Sequence, residues 1–102
     1  MSNQIELRHL RYFLAVAEEL HFRKAAEKLF ISQPGLSRQI KQLEEQLGVS
    51  LLSRTNRKVE LTAAGKHLAL DAKTWIETIQ QGLEKTKLIH QGAEGTLKLG
   101  YV

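Results

Sequence analysis

The chain has 102 residues, 42% of them hydrophobic, with no cysteine and a formal net charge of +4 from 15 Lys+Arg against 11 Asp+Glu. This length accommodates one small domain with at most an appendage, and the absence of cysteine excludes a disulfide framework or a cysteine-held zinc site. The mild basic excess permits nucleic acid as a partner without requiring it, and no apolar run resembles a signal peptide or a membrane span, so a cytoplasmic protein without a membrane partner is expected.

Residues 1–5 read as a loose lead-in. From Glu6 the text ELRHLRYFLAVAEEL puts Leu10, Phe13, Leu14 and Ala17 on one helical face, widened by Leu7, Val16 and Leu20. Arg8, His9 and Arg11 crowd its first turn. Positive charge there opposes the helix dipole. A nearby phosphate would offset that cost, and solvated surface charge fits equally well.

Residues 22–47 read as two helices joined by a tight turn. Ala25, Ala26 and Leu29 give the first a small apolar face that lets a second helix cross closely, and Phe30-Ile31-Ser32 forms the turn. Ser32 is suited to cap the next helix, and Pro34 sits in that helix's first turn, where its missing N–H does no harm. Leu36, Ile40, Leu43 and Leu47 step by four, three and four along one face. Pro34, Arg38 and Lys41 then lie opposite, with Ser37 at the edge. A helix that is apolar behind and carries donors in front suits phosphates and base edges in a major groove. An ordinary helical hairpin with a solvated charged face has the same spacing.

Gly48 ends that helix with a left-handed backbone. Residues 51–54 and 58–61 are short strand candidates, and the turn between them carries Arg57, flanked by Arg54 and Lys58. Leu51, Leu52, Val59 and Leu61 are available to pack on the helices. Thr62 is a good cap for a helix running to about Gln91, roughly 40 Å long at 1.5 Å per residue. Ala72, Ile76, Ile79, Leu83 and Thr86 form a seam at coiled-coil intervals, flanked by Leu68 and Trp75, with Ile89 continuing it and Gly82 as a weak point. No second long helix exists in the chain to receive this seam, so a partner chain is expected, with Trp75 as an interface anchor rather than a base-stacking residue. Gly92 to Gly95 read as a hinge and residues 96–102 as a strand with nothing to pair with.

The run AAEKLFISQPGLSRQIKQLEEQLGVSLLSR, residues 25–54, followed by LTAAG, resembles the DNA-binding head of the LysR-type transcriptional regulators. The opening LRHLRYF resembles a subgroup that regulates breakdown of aromatic compounds. The resemblance implies a mainly α fold, a winged helix-turn-helix over residues 1–61 followed by a long dimerisation helix over 62–91. Residues 92–102 would then be a hinge and the first strand of a truncated effector-binding domain. It implies double-stranded DNA as partner, with an interrupted palindrome as target. The basic unit would be a homodimer, in the family often paired into a dimer of dimers at full length. No cofactor is expected in the fragment, and a small-molecule inducer is expected for the full-length protein. Gln33, Pro34, Ser37, Arg38 and Lys41 would face the bases. Arg54, Arg57 and Lys58 would form the wing, with Arg57 in the minor groove, and Arg8, Arg11, Arg23 and Ser32 would hold the DNA backbone. Two positions depart from the family pattern: His21 stands where a small polar cap is frequent, and Arg23 where a small hydroxyl residue or glycine is usual. Both predict weaker capping of the helix that follows.

The rival reading is a helix-turn-helix fold used for protein interaction without DNA. The cations at 38, 41 and 57, all predicted on one side, argue against it. No nucleophile elbow, phosphate-cradling glycine loop or paired acid and base is suggested by spacing. Glu44 and Glu45 read as solubility and pairing residues, and the chain is not expected to be an enzyme.

Overall fold

The computed structural model of the chain describes residues 4–55 and 58–95. The elements run α1 (Leu7–Glu19), α2 (Phe22–Leu29), α3 (Gln33–Leu47), β1 (Leu52–Arg54), β2 (Val59–Leu61) and α4 (Ala63–Gly95). This is the expected mainly α winged helix-turn-helix with a long final helix. The two strands pair antiparallel in the register Leu52↔Leu61, Ser53↔Glu60 and Arg54↔Val59.

The core forms where the apolar stripes of three short helices meet. Phe13 and Val16 come from α1, Ala25 and Ala26 from α2, and Leu36, Ile40 and Leu43 from α3, with Leu51 and Leu52 closing the side nearest the strands. Burial of each large side chain contributes about 1.5–3 kcal/mol. The two alanines put no bulk between α2 and its neighbours, which is how an eight-residue helix contacts both α1 and α3. Leu47, at the end of the α3 stripe, is only half covered.

Local chemistry sets the helix ends, and it differs from expectation in three places. His21 caps α2, its Nδ1 accepting the Lys24 N–H at 3.2 Å, so an imidazole takes the place of the smaller polar cap. His9 is not a surface cation: it is buried, and its Nδ1 accepts the Glu6 N–H at 2.9 Å. With Nδ1 accepting, Nε2 carries the proton and faces Gln42 Oε1 of α3 at 3.4 Å. The first turn of α1 is therefore capped and tied to α3. Leu20, expected on the buried stripe, is instead the left-handed cap of α1 at φ 51°, with its N–H on Val16 O. The chain reverses there to start α2, which turns the side chain outward. Phe30 repeats this at the end of α2, at φ 60° and 94% exposed. Ser32 and Gly48 act as expected, Ser32 Oγ accepting the Gly35 N–H at 3.0 Å and Gly48 ending α3 at φ 71°.

The long helix departs from the sequence reading at both ends of its seam. Ala72 is fully buried and Ile76 is 7% exposed within this chain alone, because the first turns of α4 lie against α1 and β2. The N-terminal part of the seam thus has a receiver inside the chain. Trp75, Ile79, Leu83 and Ile89 are instead exposed. The expected hinge at residues 92–95 is helical, and α4 reaches Gly95. A glycine weakens a helix by about 1 kcal/mol, and no proline interrupts the hydrogen-bond ladder there. The predicted strand at 96–102 lies outside the described residues.

Thr62 joins α4 to the head. Its N–H donates to Leu51 O at 3.0 Å, its Oγ1 donates to Ser50 O at 2.7 Å, and Thr62 Oγ1 in turn accepts the Gly65 N–H at 3.0 Å. A Cβ on Gly65 would lie 2.1 Å from Leu51 O, so only glycine allows this approach. Gly65→Ala is therefore expected to destabilise the chain by roughly 1–3 kcal/mol, the range for overpacking. Thermal unfolding followed by circular dichroism measures it, and a melting temperature equal to wild type would disprove the close approach.

Candidate nucleic-acid interface

The N-terminal half of α3 and the β1–β2 hairpin stand side by side and form two adjoining grooves. The first is lined by Gln33 and Ser37 of α3, His21 and Arg23 at the start of α2, and Arg54, Thr55 and Lys58 of the hairpin. The second is lined by Pro34, Ser37, Arg38 and Lys41 of α3 with Leu52 and Arg54 of β1, and Glu44 at its inner end. Ser37 and Arg54 belong to both. Five cations thus share a continuous surface although they come from three elements.

The reason lies in the two periodicities. On α3, Leu36, Ile40 and Leu43 are buried, so the helical repeat turns Pro34, Arg38 and Lys41 to solvent. On β1, Leu52 is buried and Ser53 exposed, so the two-residue repeat sends Arg54 to the same face as Leu52, towards the helices. The Arg54 guanidinium carbon stands 4.0 Å from the centre of the Phe22 ring. Thr55 N–H donates to Lys58 O at 3.0 Å and closes the turn. Arg57, expected at the tip, lies outside the described residues.

The structure separates the expected backbone-holding residues. Arg23 joins the first groove. Ser32 is exposed at the start of α3, its oxygen engaged as the helix cap. Arg8 is drawn elsewhere: it ion-pairs with Glu6 and donates through Nε to Gln39 Oε1 at 3.2 Å. Arg11 is exposed on α1 and lines neither groove. Of the seam residues, Ala72 and Ile76 are buried and Leu68 partly buried, while Trp75, Ile79 and Leu83 are exposed. Thr86 is exposed and its hydroxyl donates to Gly82 O at 2.9 Å, within its own helix. Trp75 and Leu68 also line an apolar groove with Ile5, Leu10, Leu43 and Leu47.

Glu44 is the residue that sequence reasoning missed. Its Oε2 accepts two backbone N–H groups, Leu51 at 2.8 Å and Leu52 at 3.2 Å, which anchors the hairpin to α3. The only sequence signal is a carboxylate one turn before a helix-ending glycine, and its partners are backbone groups that any residue supplies. Among the described residues no cluster of His, Asp or Glu has the arrangement to hold a metal ion, and no helix is long and apolar enough to cross a membrane.

Residues 7–66 match the family described as bacterial regulatory helix-turn-helix protein, lysR family. The chain is 54% identical over 97 residues to the uncharacterized HTH-type transcriptional regulator YnfL of Escherichia coli K12, covering 95% of this chain and 33% of that protein. It is 54% identical over 98 residues to the HTH-type transcriptional regulator AlsR of Bacillus subtilis 168, covering 96% and 32%. It therefore spans about a third of the length of these curated relatives, which are named as regulators rather than enzymes. The fold superposes on the BenM DNA-binding domain in its complex with catB site 1 DNA, with a TM-score of 0.83 and 50% identity over 86% of this chain and 98% of that one.

Removing the Glu44 carboxylate leaves the buried Leu51 and Leu52 N–H groups without an acceptor. Glu44→Ala is expected to cost roughly 1–3 kcal/mol of stability. Hydrogen exchange should show faster exchange at the Leu51 and Leu52 amides than in wild type. Unchanged protection at both would rule out the clamp.

Proposed function

The chain belongs to the lysR family of bacterial regulatory helix-turn-helix proteins, and we propose that it is the DNA-reading part of a sequence-specific transcriptional regulator working on DNA in the cytoplasm. The observation that carries this is the gathering of Arg23, Arg38, Lys41, Arg54 and Lys58 around Gln33, Pro34 and Ser37 in two grooves that share a wall. α3 enters the major groove and Gln33, Pro34, Ser37, Arg38 and Lys41 meet the base edges. Arg38 is the bidentate guanine reader, since its planar fork matches the two acceptors of that base. The hairpin lies along the adjoining backbone with Arg57 reaching the minor groove. Arg23, Ser32, Arg54 and Lys58 hold phosphates, and Arg8 and Arg11 stand at the margin.

The exposed half of the α4 seam pairs with a second copy of the chain. Two copies would present two α3 helices to an interrupted palindrome, one DNA turn of about 34 Å or a multiple apart. Assembly into a dimer of dimers and response to a small-molecule inducer belong to the same proposal, for a regulator of the length of its relatives.

Duplex DNA titrated at several salt concentrations tests the reading directly. Log K should fall against log[salt] with a slope of about −0.9 for each phosphate neutralised. A flat response would favour the protein-interaction alternative. Arg38→Ala is expected to cost roughly 1–3 kcal/mol and to relax sequence preference. Equal weakening on every sequence would make Arg38 a phosphate clamp instead.

The seam is tested by a pair of variants. Ile79→Asp places a charge on the exposed stretch and should abolish dimers in sedimentation while leaving the head folded by circular dichroism. Ile76→Asp places it in this chain's own core and should unfold the head, because burying an unpaired charge there is far more costly than the 1.5–3 kcal/mol or so that isoleucine contributes. A dimeric Ile79→Asp would refute the proposed pairing surface.

A further inference from the structure

We propose that Phe22 is a positioning residue for DNA binding, holding the Arg54 guanidinium as a preset phosphate clamp where the two grooves meet; this rests on the DNA-binding reading above. Phe22 opens α2, is 7% exposed and belongs to the core, yet one face of its ring is given to Arg54, whose guanidinium carbon lies 4.0 Å from the ring centre. A guanidinium held over a ring through its central carbon keeps N–H donors at its periphery for an acceptor. Among the described residues no ion pair occupies Arg54. Glu44 lines the same groove, but its Oε2 is engaged by the Leu51 and Leu52 N–H groups.

Three elements converge to set this geometry. The two-residue repeat of β1 turns Arg54 towards the helices, the Arg54↔Val59 pairing fixes its backbone, and the His21 cap fixes the first turn of α2 that carries Phe22. An exposed arginine on a hairpin ordinarily samples many rotamers and loses that freedom on binding. One held against a ring is already restricted, so less freedom is lost when phosphate arrives. Among the described residues, Arg54 is the one cation lining both grooves. A phosphate held there would fix how far α3 and the hairpin stand from one DNA strand, without reading its sequence.

The test is a double-mutant cycle on the full chain, with a random-sequence duplex as probe at low salt. Arg54→Ala should make the slope of log K against log[salt] shallower by about one unit. Phe22→Leu keeps an apolar side chain and removes the ring. It should weaken binding about two- to fivefold, the size of a cation–π contact at an exposed site, and should weaken it no further in the Arg54→Ala background. In the Arg38→Ala background it should cost the same factor as in wild type, and Phe22→Tyr should bind like wild type. A trifluorinated phenylalanine at position 22 preserves the packing while draining the ring face of electrons. It should reproduce the loss with an unchanged melting temperature, and it carries the comparison alone should Phe22→Leu fail to fold. An equal loss from Phe22→Leu with and without Arg54, or wild-type affinity for the fluorinated chain, overturns the positioning role. A wild-type chain that binds the duplex without salt dependence overturns the DNA reading instead.

Discussion

The arrangement of the molecule depends on one backbone unit, that of Leu51. Its N–H is accepted by the Glu44 carboxylate of the recognition helix, its carbonyl accepts the N–H of Thr62, and its side chain is sealed in the core. Recognition helix, hairpin and long helix are each tied to this residue within a few bonds. Gly65 is the steric condition for it, since a methyl group there would overlap the Leu51 carbonyl. Buried backbone groups are costly to leave unpaired. The angle between α3 and the hairpin, and between the head and α4, is therefore set by satisfied hydrogen bonds as well as by apolar contact.

That rigidity is what makes a surface out of scattered cations. Arg23, Arg38, Lys41, Arg54 and Lys58 occupy three elements, and individually each is a solvated side chain worth little to stability. They share a surface because the core fixes the faces of α2, α3 and β1 at once. The contact of Arg54 with Phe22 carries this a step further: a residue that holds the core together also orients a charge at its edge. A substitution in the core can then alter the interface without unfolding the protein.

The long helix divides its labour along its length. Its first turns complete the head, burying Ala72 and Ile76. Beyond Ile76 the same apolar repeat continues through Ile79, Leu83 and Ile89, which stay exposed among the described residues. A helix of 33 residues is about 50 Å long at 1.5 Å per residue, well past the reach of the 13-residue α1. A charge placed at Ile76 and one placed at Ile79 therefore probe different structures, although both positions lie on the same seam.

By itself the sequence determined the elements from α1 to α4 and their order. Local signals sufficed: the four-three-four repeat of Leu36, Ile40, Leu43 and Leu47, the Ser32 cap, the Gly48 stop, and alternation around a basic turn. It also determined the solvent face of α3, because a helix with one apolar stripe has only one opposite side. Only the tertiary structure decided what depends on which element is the neighbour. His9 looked like a first-turn cation and is a buried cap, because α3 brings Gln42 over it. Glu44 looked like a solubility residue and clamps the hairpin, because a carboxylate's backbone partners leave no trace in side-chain pattern. The seam of α4 looked like one surface and is two, because periodicity gives the face of a helix and not what covers it. Leu20 and Phe30 took left-handed backbones that their residue types disfavour, because the chain must reverse twice to bring three short helices onto one core.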